Sequence, residues 1–324
     1  MSRQPQQERI LVTGAGGFIG QQMVSFLKNK DYWVRGVDLK TPEYSPSQAD
    51  EFLLLDLRDP QNALQVTQGI DKVYNFAANM GGVGFIETVK AAVMHDNVLI
   101  NVNLAEACKQ NQVKRIFFAS SACIYPISKQ TTTQVLALKE AEAYPAEPDN
   151  EYGWEKLFSE RLFTSYAQDH GLEVRIARYH NIYGPEGTYT GGREKAPAAI
   201  CRKIAEVETG GQIEVWGDGE QTRSFCYIDD CLEGSYRLME SACDFPLNIG
   251  SDRLISIKQM VELVATIAGK KIRIKHLLDK PQGVRGRNSD NTLLKKTLHW
   301  EPQVSLEVGL KKTYHWVKQE LNKK

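Results

Sequence analysis

The sequence predicts an α/β protein built on a doubly wound parallel sheet, followed by a smaller C-terminal α/β lobe. Short apolar runs rich in β-branched residues alternate with amphipathic stretches up to about residue 180, which is typical of a parallel sheet covered on both faces. Beyond residue 181 the elements become shorter, and the segment 184–198 is rich in glycine, proline and charged residues. We therefore expect residues 1–180 to form one domain and residues 181–324 a second, with residues 225–240 returning to the first.

Apolar runs of strand length are expected to form the large sheet. They cover residues 9–14, 33–38, 52–56, 72–77, 115–120 and 173–178. Apolar residues with helical spacing predict helices between them, over residues 18–27, 98–108 and 159–170. Because crossovers between parallel strands are right-handed, the ligand crevice should lie at the carboxyl ends of these strands.

The charge balance and the apolar runs exclude several classes of protein. The 324 residues include 40 lysines and arginines and 40 aspartates and glutamates, so the formal charge is zero. A general surface for nucleic acid or acidic lipid is therefore not expected. No apolar run approaches the roughly 18 residues of a membrane span, and the first residues contain no apolar core of a secretion signal. We expect a soluble, cytoplasmic enzyme.

The six cysteines indicate reduced thiols rather than a disulfide framework. They are few for a chain of this length and form no Cys-x-x-Cys pair, at positions Cys108, Cys123, Cys201, Cys226, Cys231 and Cys243. We expect neither disulfides nor a bound metal.

A glycine-rich turn after the first strand predicts a dinucleotide site. Residues 14–20 have G-x-x-G-x-x-G spacing between a strand and a helix. Glycine lets the backbone approach a pyrophosphate, and the helix N-terminus offers free N–H groups. A tight turn without a ligand could use the same glycines. The candidate cofactor contacts in this turn are Gly14, Gly17, Phe18, Ile19 and Gly20.

An aspartate at the end of the second strand favours NAD over NADP. Asp38 lies 18 residues after the last glycine of the turn and can accept hydrogen bonds from both adenosine ribose hydroxyls, whereas it would repel a 2′-phosphate. Arg35 and Lys40 argue the other way, since a nearby cation could serve such a phosphate. Asp56 and Leu57 follow the third strand and are expected near the adenine, although an aspartate there is also a common helix cap.

The Tyr-x-x-x-Lys pattern predicts the reacting centre, and context selects one copy. The pattern occurs at Tyr125/Lys129, at Tyr152/Lys156 and at Tyr314/Lys318. A proline interrupts the first copy, and the third lies in a lysine-rich terminal segment typical of a solvated face. The second opens a helical pattern that places both side chains on one face. There the lysine can bind a nicotinamide ribose while the tyrosine takes a proton from a sugar hydroxyl.

These residues resemble the extended short-chain dehydrogenase/reductase superfamily of nucleotide-sugar epimerases and dehydratases. The resemblance is carried by the glycine-rich turn, Asp38, the segment 120–123 and the Tyr152/Lys156 pair. It implies a Rossmann fold with bound NAD and a catalytic triad of Ser121, Tyr152 and Lys156. Further segments are similar to the GDP-mannose 3,5-epimerase family, at residues 79–86, 121–126, 144–148, 191–199 and 283–291.

The second resemblance covers almost the whole chain and implies a substrate and a partner. It implies conversion of GDP-D-mannose to GDP-L-galactose and GDP-L-gulose through a transient 4-keto sugar, with tightly bound NAD. It also implies a homodimer formed through helices at residues 94–110 and 154–170. Asn79 stands where the family is expected to carry an acid, and plant members have longer tails at both ends.

The same resemblance implies that Cys123 and Lys195 act as bases on opposite faces of the sugar ring. A ketone at C4 acidifies the protons on C3 and C5, and inverting either carbon requires one group to remove a proton and another to deliver one. A nearby cation would favour the thiolate. Without the resemblance, Cys123 would be interpreted as a small buried apolar residue and Lys195 as a solvated charge.

Local cations are expected around the two phosphates of a nucleotide sugar, because the chain carries no net charge. The planar fork of arginine suits phosphate oxygens, and the resemblance places Arg287, in Arg-x-x-Asp spacing, on the diphosphate. Gly81 is expected where the sugar approaches. The remaining substrate contacts that the resemblance implies are Ser121, Ala122, Cys123, Asn181, Glu194, Lys195, Ala196, Lys203, Gln221, Thr222 and Arg223.

Two other functions are compatible with the sequence. A 4-epimerase or 4,6-dehydratase for another nucleotide sugar would share the fold and NAD. A 4-epimerase has no need of Cys123 or Lys195, and a dehydratase usually carries an acid in the serine loop, where this chain has Cys123 and Ile124. A non-catalytic NAD-sensing protein would share the fold alone, but such proteins tend to lose the Tyr/Lys pair.

Overall fold

The computed structural model describes residues 7–323, and its strands form one large sheet and three small ones. The strands are β1 (Arg9–Thr13), β2 (Trp33–Asp38), β3 (Glu51–Leu54), β4 (Lys72–Asn75), β5 (Arg115–Ser121), β6 (Glu173–Tyr179), β7 (Ile182–Tyr183), β8 (Gln212–Trp216), β9 (Thr222–Ser224), β10 (Cys226–Tyr227), β11 (Leu247–Ile249), β12 (Leu254–Ser256), β13 (Arg273–Leu277) and β14 (Gly286–Arg287).

The large sheet confirms the predicted fold class. Its seven strands are all parallel and follow the order β11-β6-β5-β4-β1-β2-β3. The order reverses between β1 and β4, which is the switch point where doubly wound sheets bind their ligands. Each apolar run expected in this sheet forms a strand, although β3 and β4 end two residues early because the chain leaves the sheet there.

Helices cover both faces of the sheet and build the smaller lobe. They are α1 (Phe18–Lys28), α2 (Pro60–Thr67), α3 (Val83–Thr88), α4 (Lys90–Gln110), α5 (Glu151–His170), α6 (Ala196–Glu206), α7 (Ile228–Glu240), α8 (Ile257–Ala268), α9 (Thr292–Leu298) and α10 (Leu306–Asn322). Two of them begin earlier than their apolar spacing predicts. α5 begins at residue 151 because Asn150 caps it, accepting the N–H of Gly153 on Oδ1 at 2.9 Å.

The smaller lobe shares one apolar core with the large sheet. Its helices α6, α8 and α10 pack on one another, beside the paired strands β8 and β13. Two segments beyond residue 181 lie on the large sheet: β11 pairs with β6, and α7 packs against α1 and β6. A continuous cluster of buried apolar side chains joins β1 and α1 to α7 and to the three lobe helices.

Two further findings concern the membrane and the thiols. No helix within residues 7–323 is long and apolar enough to cross a membrane. The cysteines are unpaired, and five of them are buried, whereas Cys123 is partly exposed.

The turn between β1 and α1 contains two glycines with different surroundings. A Cβ on Gly20 would lie 2.0 Å from the carbonyl oxygen of Gly14, which itself has φ of +68°. α1 therefore packs directly on the turn. Gly17 precedes α1 with extended backbone (φ −92°), and a Cβ there would meet only Gly14 O, at 3.3 Å. Packing of the protein against itself therefore requires glycine at position 20 but not at position 17.

Gly20→Ala and Gly17→Ala are expected to affect different properties. In Gly20→Ala the new methyl group pushes α1 from the turn, at a cost of about 1–3 kcal/mol in unfolding free energy, which exceeds the gain of about 1 kcal/mol in helix propensity. Gly17→Ala should unfold near the wild-type temperature but purify with less NAD, because its methyl group occupies the open space beside the turn. Thermal unfolding and cofactor content measure both effects; full NAD content in Gly17→Ala would contradict the expected cofactor contact.

Candidate active site

The first two turns of α5 carry the predicted tyrosine and lysine. Tyr152 is 6% exposed and Lys156 is 3% exposed. The Lys156 ammonium lies 5.5 Å from the centre of the Tyr152 ring and 4.8 Å from that of Phe118. It makes no hydrogen bond to any residue in the range 7–323. A buried cation without a hydrogen-bond acceptor is costly. A ligand hydroxyl beside the Lys156 ammonium would supply the missing acceptor.

The other two Tyr-x-x-x-Lys pairs have structural surroundings. Tyr125 is buried and donates to Asn248 Oδ1 at 2.6 Å, while Lys129 pairs with a surface glutamate at 2.8 Å. Tyr314 is buried in the core that includes α10, and Lys318 is exposed on the outer side of that helix. Neither pair places its tyrosine and lysine together.

Burial controls the protonation of Tyr152 and Lys156. Burial raises the pKa of Tyr152 well above its ordinary value, and the charges of Cys123 and Glu155 act in the same direction. A hydrogen bond with Ser121 opposes this change. Burial lowers the pKa of Lys156, and two glutamates of the same helix oppose that change. The tyrosine is therefore neutral in the protein without ligand.

The loop after β5 brings Ser121 and Cys123 to the first turn of α5. Ser121 Oγ accepts the N–H of Cys123 at 3.2 Å and begins a short 3-10 turn, Ala122–Ile124, in which Ala122 is buried. α5 approaches this turn closely, since a Cβ on Gly153 would lie 2.2 Å from the carbonyl oxygen of Cys123. The predicted serine, cysteine and tyrosine are thus brought together.

A buried arginine contacts the thiol of Cys123. Arg287 donates from Nη1 to Cys123 Sγ at 3.2 Å and from Nη2 to Asp149 Oδ2 at 2.7 Å. Its Nε donates to Gln130 Oε1 at 2.5 Å. The family resemblance implies that Arg287 binds the diphosphate, and the structure places this arginine against the thiol. A diphosphate bound by Arg287 would therefore lie next to Cys123.

Two polar groups of this cluster were not expected from the sequence. Asp149 and Gln130 hold the Arg287 guanidinium, and Asp149 Oδ1 is buried without a hydrogen-bond partner. Their sequence signals are a polar residue beside the segment 144–148 and another after the serine loop. Such signals are too common to single out either residue.

Lys195 lies where α6 begins, close enough to Cys123 for the two charges to interact. It precedes the first residue of that helix, Ala196, and both residues are half-buried. Burial lowers the pKa of Lys195, and the charges of Cys123 and Cys231 oppose this change. The segment 193–195 is held by the glycine block: Gly82 N donates to the carbonyl oxygen of residue 193 at 3.1 Å.

Glycine at positions 81 and 82 permits this contact. A Cβ on Gly82 would lie 2.6 Å from the carbonyl oxygen of Glu194, and one on Gly81 would lie 2.9 Å from the ring of Phe85. Asn79, where an acid was expected, donates from Nδ2 to Asp96 at 3.1 Å. An acid at position 79 would instead place two carboxylates together.

Arg223 is a second cation near the thiol and is half-buried. It donates only to the carbonyl oxygens of Thr222, at 2.7 Å, and of Gln282, at 3.4 Å, and forms no ion pair within the described part of the chain. Burial and the charge of Arg287 lower its pKa to about 9, against the effect of Asp149. An anion between the two arginines would remove this repulsion, which fits the predicted diphosphate site.

The other predicted substrate residues make contacts within the protein. Gln221 also keeps Oε1 buried without a partner, so one polar atom there is available to a ligand. The contacts are Asn181 Nδ2 to Ser224 O at 2.8 Å, Glu194 Oε2 from Gly192 N at 2.6 Å, Lys203 Nζ to Glu214 O at 2.7 Å, Gln221 Nε2 to Trp216 O at 3.0 Å and Thr222 Oγ1 to Thr133 O at 2.6 Å.

The residues at the ends of β1 and β2 fit NAD. Asp38 Oδ2 accepts the N–H of Gly16 at 2.9 Å, which places the carboxylate directly beside the glycine turn. Arg35, which could have bound a 2′-phosphate, instead forms an ion pair with Glu51 at 2.7 Å. Lys40 is exposed and lies 3.8 Å from a glutamate. The Lys156 ammonium, which makes no hydrogen bond to a described residue, and the open space beside Gly17 also fit NAD.

The two residues expected near the adenine differ from each other. Asp56 forms an ion pair with Arg58 at 2.6 Å, and this contact lowers the pKa of its carboxyl group. Leu57 is buried. No group of three or more histidines, cysteines, aspartates or glutamates among residues 7–323 could hold a metal ion.

Known proteins with similar sequences and folds identify the family. Residues 10–250 match the NAD dependent epimerase/dehydratase family. The chain is 49% identical to GDP-mannose 3,5-epimerase of Arabidopsis thaliana over 317 residues, which cover 97% of this chain and 83% of that protein. It superposes on UDP-glucose 4-epimerase of Thermotoga maritima, solved with UDP-glucose, with a TM-score of 0.88 and 27% identity over 97% of this chain and 99% of that one.

A complex with both ligands has the same fold. UDP-glucuronic acid 4-epimerase of Bacillus cereus, solved with UDP-glucuronic acid and NAD, superposes with a TM-score of 0.82 and 27% identity over 96% of this chain and 99% of that one. The chain therefore belongs to the NAD dependent epimerase/dehydratase family and, within it, to the group of GDP-mannose 3,5-epimerases.

Proposed function

We propose that the protein is a GDP-mannose 3,5-epimerase, which converts GDP-D-mannose to GDP-L-galactose with GDP-L-gulose as a second product. The observation that carries the proposal is the position of the Cys123 thiol, which packs beside Tyr152, contacts Arg287 and interacts electrostatically with Lys195. A 4-epimerase would need the tyrosine and lysine alone, whereas inversion at C3 and C5 also needs a thiol and an amine. The 49% identity to an enzyme of that name supports the same conclusion.

The site residues divide the reaction between them. When bound, NAD supplies the oxidant that takes hydrogen from C4 of the sugar and later returns it. Tyr152 Oη removes the proton of the C4 hydroxyl, and Lys156 binds the nicotinamide ribose and stabilises the charge on the tyrosine. At the 4-keto stage, Cys123 Sγ and Lys195 Nζ remove and deliver protons at C5 and C3 from opposite faces of the ring.

The two parts of the chain bind different ligands in this proposal. Residues 1–180, with residues 225–240, hold NAD at the glycine turn and Asp38. Residues 181–324 hold the nucleotide sugar, with Arg223 and Arg287 on its diphosphate. Because no ion pair of Arg223 has to be broken first, its charge is available to the phosphates.

Exchange of ring protons with solvent tests the proposed reaction. The purified protein should incorporate deuterium at C5 and C3 of GDP-mannose in deuterated water, because each inversion replaces a carbon-bound proton with one from solvent. NMR should show new galactose-type and gulose-type signals without added cofactor. Absence of exchange even after NAD is supplied would contradict the substrate, and other nucleotide sugars would then be tested.

Substitution of the two proposed bases should stop exchange without loss of the cofactor. In Cys123→Ala we expect deuterium incorporation to fall at least about 100-fold, with NAD content unchanged; Cys243→Ala, at a buried cysteine that plays no part in the proposed reaction, is the matched control.

Lys195→Arg should also stop exchange. Burial lowers the pKa of Lys195 below its ordinary value of 10.5, which favours proton transfer by this amine. The guanidinium of the variant keeps the positive charge but does not give up its proton, so deuterium incorporation should fall at every pH while NAD content stays unchanged. Exchange at the wild-type rate in Lys195→Arg would contradict the role of Lys195.

We also propose a homodimer formed by α4 and α5 and a cytoplasmic location. Trp154 and Phe158 lie one turn apart on α5 and are each 46% exposed, which suits a helix face that packs on a second copy. Trp154→Asp should shift the sedimentation coefficient to that of a monomer, whereas Leu278→Asp, at a 69% exposed leucine elsewhere, should not.

The unpaired cysteines support the proposed cytoplasmic location. Cell fractionation tests it, and recovery of the protein with a membrane or secreted fraction would contradict it.

A further inference from the structure

A fully buried carboxylate directly precedes the lysine of the Tyr152/Lys156 pair on α5. Glu155 is 0% exposed, and no cation lies within ion-pair distance of it among residues 7–323. Its oxygens accept hydrogen bonds from Asn97 Nδ2 at 3.2 Å, Asn101 Nδ2 at 2.9 Å and Ser159 Oγ at 3.0 Å. All three partners are neutral, so this carboxylate is not one half of a structural ion pair.

The hydrogen bonds around Glu155 form a path that begins at a backbone N–H group. Ala77 N donates to Thr13 Oγ1 at 3.1 Å, and this hydroxyl gives its own proton to Asn75 Oδ1 at 2.8 Å. Asn75 therefore donates from Nδ2 to Asn101 Oδ1 at 2.8 Å. Because the amide oxygen of Asn101 faces Asn75, its Nδ2 faces Glu155.

A second path of hydrogen bonds ends at the same carboxylate. Asn79 N donates to Asn97 Oδ1 at 2.6 Å, so Asn97 Nδ2 faces Glu155 Oε2. Ser159 Oγ accepts from Asn101 Nδ2 at 2.9 Å and gives its proton to Glu155 Oε1. Both paths start at backbone N–H groups, which can only donate, and every group that reaches Glu155 arrives as a donor. Three donors point at the carboxylate oxygens and none of these partners is placed to accept a carboxyl proton in this arrangement, so the network fits the ionised form.

We propose that Glu155 is an ionised positioning residue, which joins α4 and α5 to the ends of β1 and β4 and holds a negative charge beside Tyr152 and Lys156. Thr13 ends β1 and Asn75 ends β4, so the network anchors the catalytic helix to the switch point of the sheet. The kinetic part of this proposal rests on the proposed function, whereas the charge state of Glu155 does not.

The charge of Glu155 acts on both catalytic groups in the same direction. Burial lowers the pKa of Lys156, and Glu155 opposes that change most strongly among the charged groups. Burial raises the pKa of Tyr152, and the charges of Cys123 and Glu155 add to this effect. Removal of the charge should therefore lower the pKa of both groups.

The other charged groups that face this pair are compensated. Glu160, which also opposes the effect of burial on Lys156, is paired with Arg178 at 2.7 Å. On α4, Asp96 is paired with Arg58 at 3.0 Å. Glu155 is thus the buried carboxylate near the pair that forms no ion pair with any described residue.

The pH dependence of epimerisation distinguishes a charge effect from a purely structural one. In Glu155→Gln, measured with the protein and its retained NAD, both limbs of the pH–rate profile should move to lower pH, by about one unit. The acid limb moves to lower pH because Tyr152 gives up its proton more readily. The alkaline limb moves to lower pH because Lys156 also loses its proton more readily. A profile that is lower but unmoved would overturn the electrostatic role.

Two variants serve as controls for loss of the network. Ser159→Ala removes one donor and keeps the charge, so it should lower the unfolding temperature and leave the profile at the wild-type pH. Glu155→Asp keeps the charge on a shorter side chain and should also keep the wild-type position of both limbs. A shift in either control equal to that of Glu155→Gln would contradict the proposal.

The charge state of Glu155 can be measured without the reaction. In protein with ¹³C-labelled glutamate carboxyl groups, the Glu155 resonance is the one absent from Glu155→Asp. It should keep the chemical shift of an ionised carboxylate throughout the neutral range, even if Glu155→Gln does not fold or GDP-mannose is not the substrate. A neutral carboxyl signal would overturn the proposal while leaving the proposed function intact.

Discussion

The close approach of α5 to the loop after β5 is the constraint on which the site depends. Only glycine at position 153 allows it, because a Cβ there would lie 2.2 Å from the carbonyl oxygen of Cys123. Tyr152 packs at this point against apolar side chains of α3 and α4, and Cys123 packs against the same cluster. The proposed proton acceptor for the sugar hydroxyl and the proposed thiol base for the ring carbons therefore lie close together, which a looser contact would not allow.

Buried charged side chains of this protein fall into two groups: those that form an ion pair within the protein, and those that have no partner and could bind a ligand. Arg178 and Glu160 form a buried pair at 2.7 Å, and Arg287 is held by Asp149 at the same distance. Removal of one partner from such a pair typically costs about 3–5 kcal/mol, so these pairs are fixed. Lys156 has no such partner, although it is equally buried. We therefore expect a polar ligand to supply the hydrogen bonds that this ammonium does not find within the described part of the protein.

Several parts of the site followed from local sequence signals. The glycine turn, Asp38 and the choice of Tyr152 among three similar patterns depend on neighbouring residues and on helical spacing, and the structure places them around the switch point of the sheet. Glu155 and Asp149 gave no comparable signal. Each lies beside a residue that does, but a glutamate within a helix or an aspartate before one usually faces solvent, and only the packing of other elements buries these two.

The sequence by itself determined the α/β class, the parallel sheet, the glycine-rich turn, NAD as the cofactor and the family, because these depend on local periodicity, on glycine at fixed positions and on motifs. Only the tertiary structure decided the partners of the reacting groups. The contact between Cys123 and Arg287 spans 164 residues, and that between Asp149 and Arg287 spans 138. Such contacts depend on the order of strands in the sheet and on the path of the chain between lobes, and no local pattern records either one.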